Sequence, residues 1–375
     1  MFKKFSTTGI SLIEADAMHR LIRLYFHNVT LIIYMASAIL FTASPQVFAR
    51  VSGVCSGCHT MHNSQNGAAV DSSGPSDNLI VSGCVGCHSN TLSETVSSIG
   101  TSNLPIVYNS QPPTAPLAGG NFYWMVNQSD DSKGHNVSGI AGKDSNIDFV
   151  IGRHIGSNYT LSITDCINCH SFGFPPGYPG IPFTIDRTGD VLICEDCHTQ
   201  PRHHADDSAT VVDGTGGWYR FLYEVKGIED DDWQKTVSAA DHNEYQGETS
   251  AFAGSISDSG CGCHGDLHAL KNPTGVGSGS PWLRHPVDIA LPNSGEYAAY
   301  TTYNPIAPVA RPDLSGYGGP TSLVTPGVDQ IMCISCHRAH GSPWSDLLRW
   351  NYDTMVTGNN NGSGCFICHT DKDNP

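Results

Sequence analysis

Fourteen cysteines and eighteen histidines stand out in a chain of 375 residues, and the cysteines form seven pairs, each followed at once by a histidine. The groups are Cys55, Cys58 and His59; Cys84, Cys87 and His88; Cys166, Cys169 and His170; and Cys194, Cys197 and His198. They continue with Cys261, Cys263 and His264; Cys333, Cys336 and His337; and Cys365, Cys368 and His369. No cysteine is left over. On one helical turn positions i, i+3 and i+4 share a face, so two thiols and an imidazole can be offered from one side. Thiols so placed can add to the two vinyl groups of a haem while the histidine ligates its iron, which is the c-type attachment signature. Cys-x-x-Cys alone would also suit zinc or redox chemistry, but neither explains a histidine after every pair. Seven haem c groups are therefore expected.

The fifth group departs from the pattern. With one residue between them, Cys261 and Cys263 lie about 200° apart around a helix and cannot both face one haem edge without distortion. His264 and Cys263 are expected to bind as usual, whereas Cys261 either makes a strained second thioether or stays free.

An iron held by two axial histidines has no open position for substrate and suits electron transfer. Beyond the seven proximal histidines, and His19 and His27 near the N-terminus, nine remain: His62, His135, His154, His203, His204, His242, His268, His285 and His340. Nine candidates suffice for seven distal positions. His62 and His340 lie three residues past the proximal His59 and His337, and His268 lies four past His264. A histidine one turn beyond a proximal ligand cannot easily bend back to the same iron, but it can reach a neighbouring haem. His135 and His285 sit in loops beside Gly or Pro. His203 and His204 are alternatives for one position, and His154 and His242 compete for the last. No attachment motif ends in Lys, the variant that marks the catalytic haem of some multihaem nitrite reductases. The expectation is an electron-transfer protein rather than an enzyme, with a nitrite- or sulfite-type reductase as the lesser alternative.

The elements that must position these groups are sparse. Only 39% of residues are hydrophobic, while 40 Gly and 22 Pro favour loops and turns over long helices or strands. Cysteine-to-cysteine gaps of 29, 82, 28, 67, 72 and 32 residues give three close motif pairs with the fifth motif alone, which is not a solenoid period. The fold class expected is a multihaem cytochrome c: mostly loops and short helices packed around a chain of stacked haems, with little β. Short helices are expected at each motif, a longer one over Pro343–Val356, and a short strand over Tyr219–Val225. The acidic run Glu229–Asp232 reads as a solvated loop rather than a calcium site.

Residues 1–49 read as a signal peptide. An apolar stretch from Leu31 to Phe41 follows Arg20 and Arg23, and Val47-Phe48-Ala49 fits the small-residue pattern before a cleavage site. A start at Met18 would leave a signal of ordinary length and exclude the unusual Glu14 and Asp16. Residues 50–375 then form a single seven-haem domain, exported, with no transmembrane span. Removing residues 1–49 takes four basic side chains from 19 and two acidic ones from 35, leaving 15 against 33 and a formal charge of −18. That surface repels nucleic acid and suits a cationic partner, a metal ion or a mineral.

Six segments carry a family resemblance: CSGCHTMHNS at 55–64, KGHN at 133–136, CHGDLH at 263–268, LRHP at 283–286, CISCHRAH at 333–340 and ICHTDKD at 367–373. With them the chain resembles the extracellular multihaem cytochromes of the OmcS and OmcE type, which polymerise into conductive filaments. In that family the second histidine of the CHTMH segment ligates a haem of the adjacent subunit, so the resemblance implies that role for His62. A contact of this head-to-tail kind builds an open filament rather than a closed ring. The resemblance further implies an extracellular or cell-surface location. Electrons would come from periplasmic or outer-membrane cytochromes and pass to metal oxides or other cells. The chain departs from the family in its seven motifs, where the best-known members have six or four. The competing expectation is a monomeric carrier, periplasmic or on the outer surface, in which His62 serves its own chain.

Overall fold

Regular elements are short, as the Gly and Pro content demands. The computed structural model describes residues 23, 25, 27, 53–142, 192–198, 203, 219–257 and 285–373, less scattered positions within those ranges. Two compact units divide the chain, Met1–Phe48 and Ala49–Pro375, and all that follows concerns the second. The motifs at Cys166–His170 and Cys261–His264, and the spare histidines His154, His204 and His268, lie outside the described residues.

Among the described residues the largest sheet has five strands, each only two or three residues long. Its order is Gly227–Ile228, Glu244–Gln246, Ala310–Arg311, Gln330–Ile331, Ile289–Ala290. The second and third strands are parallel, with Ala310 opposite Tyr245, and the remaining pairs are antiparallel. Side chains from this sheet seed two small cores. Tyr245, Ala310 and Met332 pack with Tyr219, Val225 and Ile256, while Ile331 joins Leu291, Tyr300, Tyr303, Val309, Val324 and Ile367. A third core holds Phe122, Met125 and Val137. No helix among the described residues is long and apolar enough to cross a membrane.

The strands also bury charge. Arg311, 1% exposed, donates from Nε to Glu244 Oε2 at 2.8 Å and from Nη1 to Asp329 Oδ2 at 2.5 Å. Removing Arg311 would strand two carboxylates where water cannot reach them.

Two expectations about local structure are corrected. Pro343–Val356 is not one helix but two single turns, Ser345–Leu347 and Tyr352–Thr354, with Asp346 at φ 60 and Leu347 at φ 57. The carbonyls that would have continued the helix are engaged elsewhere: Asp346 O accepts from His337 Nδ1 at 2.7 Å and Leu347 O from Arg338 N at 2.9 Å. Tyr219–Val225 likewise begins as a turn, Tyr219–Phe221, with Arg220 at φ 49. The acidic run is a loop, as expected, though only Asp231 in it is exposed. Glu229 pairs with Arg220 at 3.2 Å, Asp230 accepts from the Asp232 and Gln234 amides, and Asp232 caps Thr236. No metal-holding cluster occurs among the described residues.

A crossing of backbone segments matters for the site. Gly341 bridges both Gly120 and Gly134, and the His340 amide donates to Gly119 O at 2.7 Å. Gly341 has φ 154, and a Cβ there would lie 2.8 Å from both Asn121 O and Lys133 O. Only glycine lets three segments meet so closely.

Candidate haem-binding site

Each attachment motif in the described residues closes as a single turn. The histidine amide donates to the first cysteine's carbonyl at 2.8 Å for His59, 2.9 Å for His198, 3.1 Å for His337 and 3.0 Å for His369. The motif at Cys84 lies in a short α-helix, Gly83–His88. No disulfide joins the ten described cysteines. Burial, with Cys58 beside it, pushes the Cys87 thiol up to about 11. Burial likewise pushes Cys336 up to about 11, with Cys365 adding to it, and Cys368 up to about 12, with Cys336 adding to it. The close motif pairs 55/84 and 333/365 are therefore also neighbours in space.

The proximal histidines are oriented in one consistent way. His59 Nδ1 donates to Leu79 O at 3.1 Å, His88 to Pro105 O at 2.8 Å, His198 to Arg220 O at 2.7 Å and His337 to Asp346 O at 2.7 Å. His369 Nδ1 donates instead to a side chain, Glu296 Oε1, at 3.2 Å. Carbonyl and carboxylate oxygens only accept, so Nδ1 carries the hydrogen and Nε2 keeps its lone pair for a metal. The spare His135 and His285 follow the same rule, donating to Ala339 O at 2.6 Å and Pro286 O at 3.0 Å. Burial holds His88 and His285 below the usual imidazole range, which keeps them neutral as metal ligation requires.

Three proximal histidines each face a spare one. Ring centroids are 6.2 Å apart for His88 and His203, 5.9 Å for His198 and His340, and 6.3 Å for His285 and His369. Two imidazoles sharing one metal through Nε2 would have centroids about 6 Å apart, since each metal–nitrogen bond is about 2 Å and the ring centre lies about 1 Å beyond. The residues present thus fit a bis-histidine haem. His340 is partly buried. Burial, together with the nearby imidazoles of His198, His135 and His88, brings its pKa down to about 3. Its ring stacks on Phe122 at 4.9 Å, and its buried Nδ1 has no hydrogen-bond partner.

His242, which competes with His154 for the last distal place, lies outside the facing histidine pairs. Its side chain is fully buried, stacked on Tyr303 at 3.5 Å, with Nδ1 donating to Ser238 O at 3.1 Å. Nε2 faces Glu244 Oε1 at 3.4 Å, so a carboxylate stands where an iron would have to be. His242 belongs to the Glu244–Arg311–Asp329 network. His62 is exposed in a turn at φ 55, three residues from His59.

Sequence reasoning missed Glu296, Phe122 and the glycine crossing around His340. Only contacts between residues far apart in the chain single them out, and no local pattern reports those.

Motif turns, oriented imidazoles and facing histidine pairs fit a multihaem c-type cytochrome, and the comparisons support that class. Residues 326–374 match the family described as the doubled CXXCH motif. The C-type cytochrome OmcS of Geobacter sulfurreducens is 26% identical over 411 aligned residues, covering 90% of this chain and 88% of that one. A solved structure, the outer membrane cytochrome S filament from Geobacter sulfurreducens, shares the fold with a TM-score of 0.52 at 18% identity, over 81% of this chain and 85% of that one. The chain is thus similar to OmcS over most of its length, and its doubled CXXCH motif supports covalently bound haem c.

Proposed function

We propose that this protein carries electrons outside the cell through seven covalently bound, mostly bis-histidine haems, as a polymerised cytochrome filament. Haem c supplies one-electron iron chemistry when bound; the chain supplies spacing, ligation and burial. The observation that carries the reading is the set of facing histidine pairs. His203 lies just past the motif at Cys194 yet faces His88, and His340 lies just past the motif at Cys333 yet faces His198. Each such histidine ties one motif to the next, which favours a continuous series of closed irons over a substrate-binding one. His88/His203, His198/His340 and His369/His285 are the axial pairs on this reading. His135 and the histidines outside the described residues are left for the other motifs.

His62 is assigned to a haem of the neighbouring subunit. Its exposure, and that of the adjacent Met61 (71%) and nearby Val54 (76%), supports a surface covered by a second copy. Periplasmic or outer-membrane cytochromes would be the donors, and metal oxides or other cells the acceptors. Residues 1–49 would be removed on export, which N-terminal sequencing of the secreted protein tests. Replacing His62 with Ala tests the assembly: filaments should fail to form while the low-spin spectrum of the other haems persists. Normal filaments would refute the shared-ligand assignment, and a monomeric wild type would favour the carrier instead.

A further inference from the structure

We propose that Glu296 lowers the reduction potential of the haem attached at Cys365–Cys368, making it the lowest among the haems of the described motifs. The inference rests on the axial pairing of His369 with His285. Across the five described proximal histidines, four give their Nδ1 hydrogen to a backbone carbonyl and His369 alone gives it to a carboxylate. A carbonyl offers a dipole, whereas a carboxylate offers a full charge and the stronger, charge-assisted bond. Such a partner pulls the Nδ1 proton toward itself and makes Nε2 a more electron-rich ligand. An electron-rich ligand and a nearby negative charge both favour the oxidised over the reduced iron.

The carboxylate is fixed and poorly screened. Its side chain is 15% exposed, and the Thr370 hydroxyl donates to the Glu296 carbonyl. Tyr297, the next residue, places its ring edge-on to His369 at 5.1 Å. Lys372 Nζ, 3.8 Å from Oε2 and 59% exposed, offsets part of the charge from outside. Each reduction moves one electron onto this iron from a neighbouring haem and leaves the Glu296–His369 bond in place.

The test is a spectroelectrochemical titration of the full, haem-loaded protein as wild type, E296Q and K372Q. Glutamine keeps an acceptor for His369 Nδ1 and removes the charge. E296Q should shift the lowest-potential component, one haem in size, upward by tenfold or more in its reduction equilibrium, which is 59 mV for one electron. K372Q, at an exposed site that will not impair folding, should shift the same component downward by a smaller factor. Low-spin signals should stay unchanged in both. A shift below twofold in E296Q, an equal shift of every component, or an upward shift in K372Q would overturn the role of Glu296. If the haem attached at Cys365–Cys368 in the full-length wild type lacks a bis-histidine low-spin signal, the axial pairing fails, and this proposal with it.

Discussion

On the proposed pairing of His198 with His340, Gly341→Ala should loosen the distal side of the haem at Cys194–Cys197. The added Cβ would stand 2.8 Å from both Asn121 O and Lys133 O, closer than the 3.0 Å below which real Cβ contacts are essentially never seen. The two oxygens belong to separate segments, so retreat from one does not relieve the other. Holding alanine at φ 154 costs about 1–3 kcal/mol, and the overpacking adds about 1–3 kcal/mol, giving roughly 2–6 kcal/mol in all. Gly139→Ala is the matched control: its φ is +84, but the nearest atom to a new Cβ is Val85 Cγ2 at 3.5 Å. It should cost only the backbone term, about 1–2 kcal/mol. The assay is thermal unfolding followed in the haem absorption band, with the high-spin fraction measured at room temperature. Because His340 precedes Gly341 and its amide bonds to Gly119 O, G341A should also convert up to one haem per chain to a high-spin form. Equal destabilisation by the two variants, or an unchanged melt and fully low-spin spectrum in G341A, would refute the reasoning.

Replacing His242 with Phe should keep the stack on Tyr303 and leave every haem low-spin, though stability falls; a new high-spin signal would restore His242 as a ligand. Arg311→Met should cost about 3–5 kcal/mol by leaving Glu244 and Asp329 buried without their cation, read as a drop in denaturation midpoint. Burial would raise the Glu244 pKa, but bonds from His242 and Arg311 outweigh it and hold the group below its ordinary 4.5. A depressed carboxylate contributes stability above its unfolded value, lost as pH falls through the folded one, so acid unfolding should set in below pH 4.5. R311M should move that onset upward.

What the sequence made legible was whatever a few consecutive residues decide. The turns at Cys55, Cys84, Cys194, Cys333 and Cys365 form because one turn's hydrogen bonds join residues four apart. The loop-rich fold follows from Gly and Pro, and the cytochrome class from the motifs. Pairing of histidines was not legible, because His340 and His198 meet only after Gly341 crosses Gly120 and Gly134. His242 and His285 look alike as spare histidines, but one stands against the Glu244 carboxylate and the other against His369. The helix expected over Pro343–Val356 failed for a related reason: His337 and Arg338, on another segment, take the carbonyls of Asp346 and Leu347.

The facing pairs have a consequence for how the chain is made. A polypeptide exported N-terminus first delivers His88 well before His203, and His198 well before His340. On the proposed pairing, haems attached early must wait for a ligand still to be translocated, and during that interval they are open to oxygen, carbon monoxide or a wrong histidine. The final step of maturation at these sites is then not covalent attachment but the arrival of a distant loop, and a chain truncated before His340 would keep an unfinished iron at Cys194–His198.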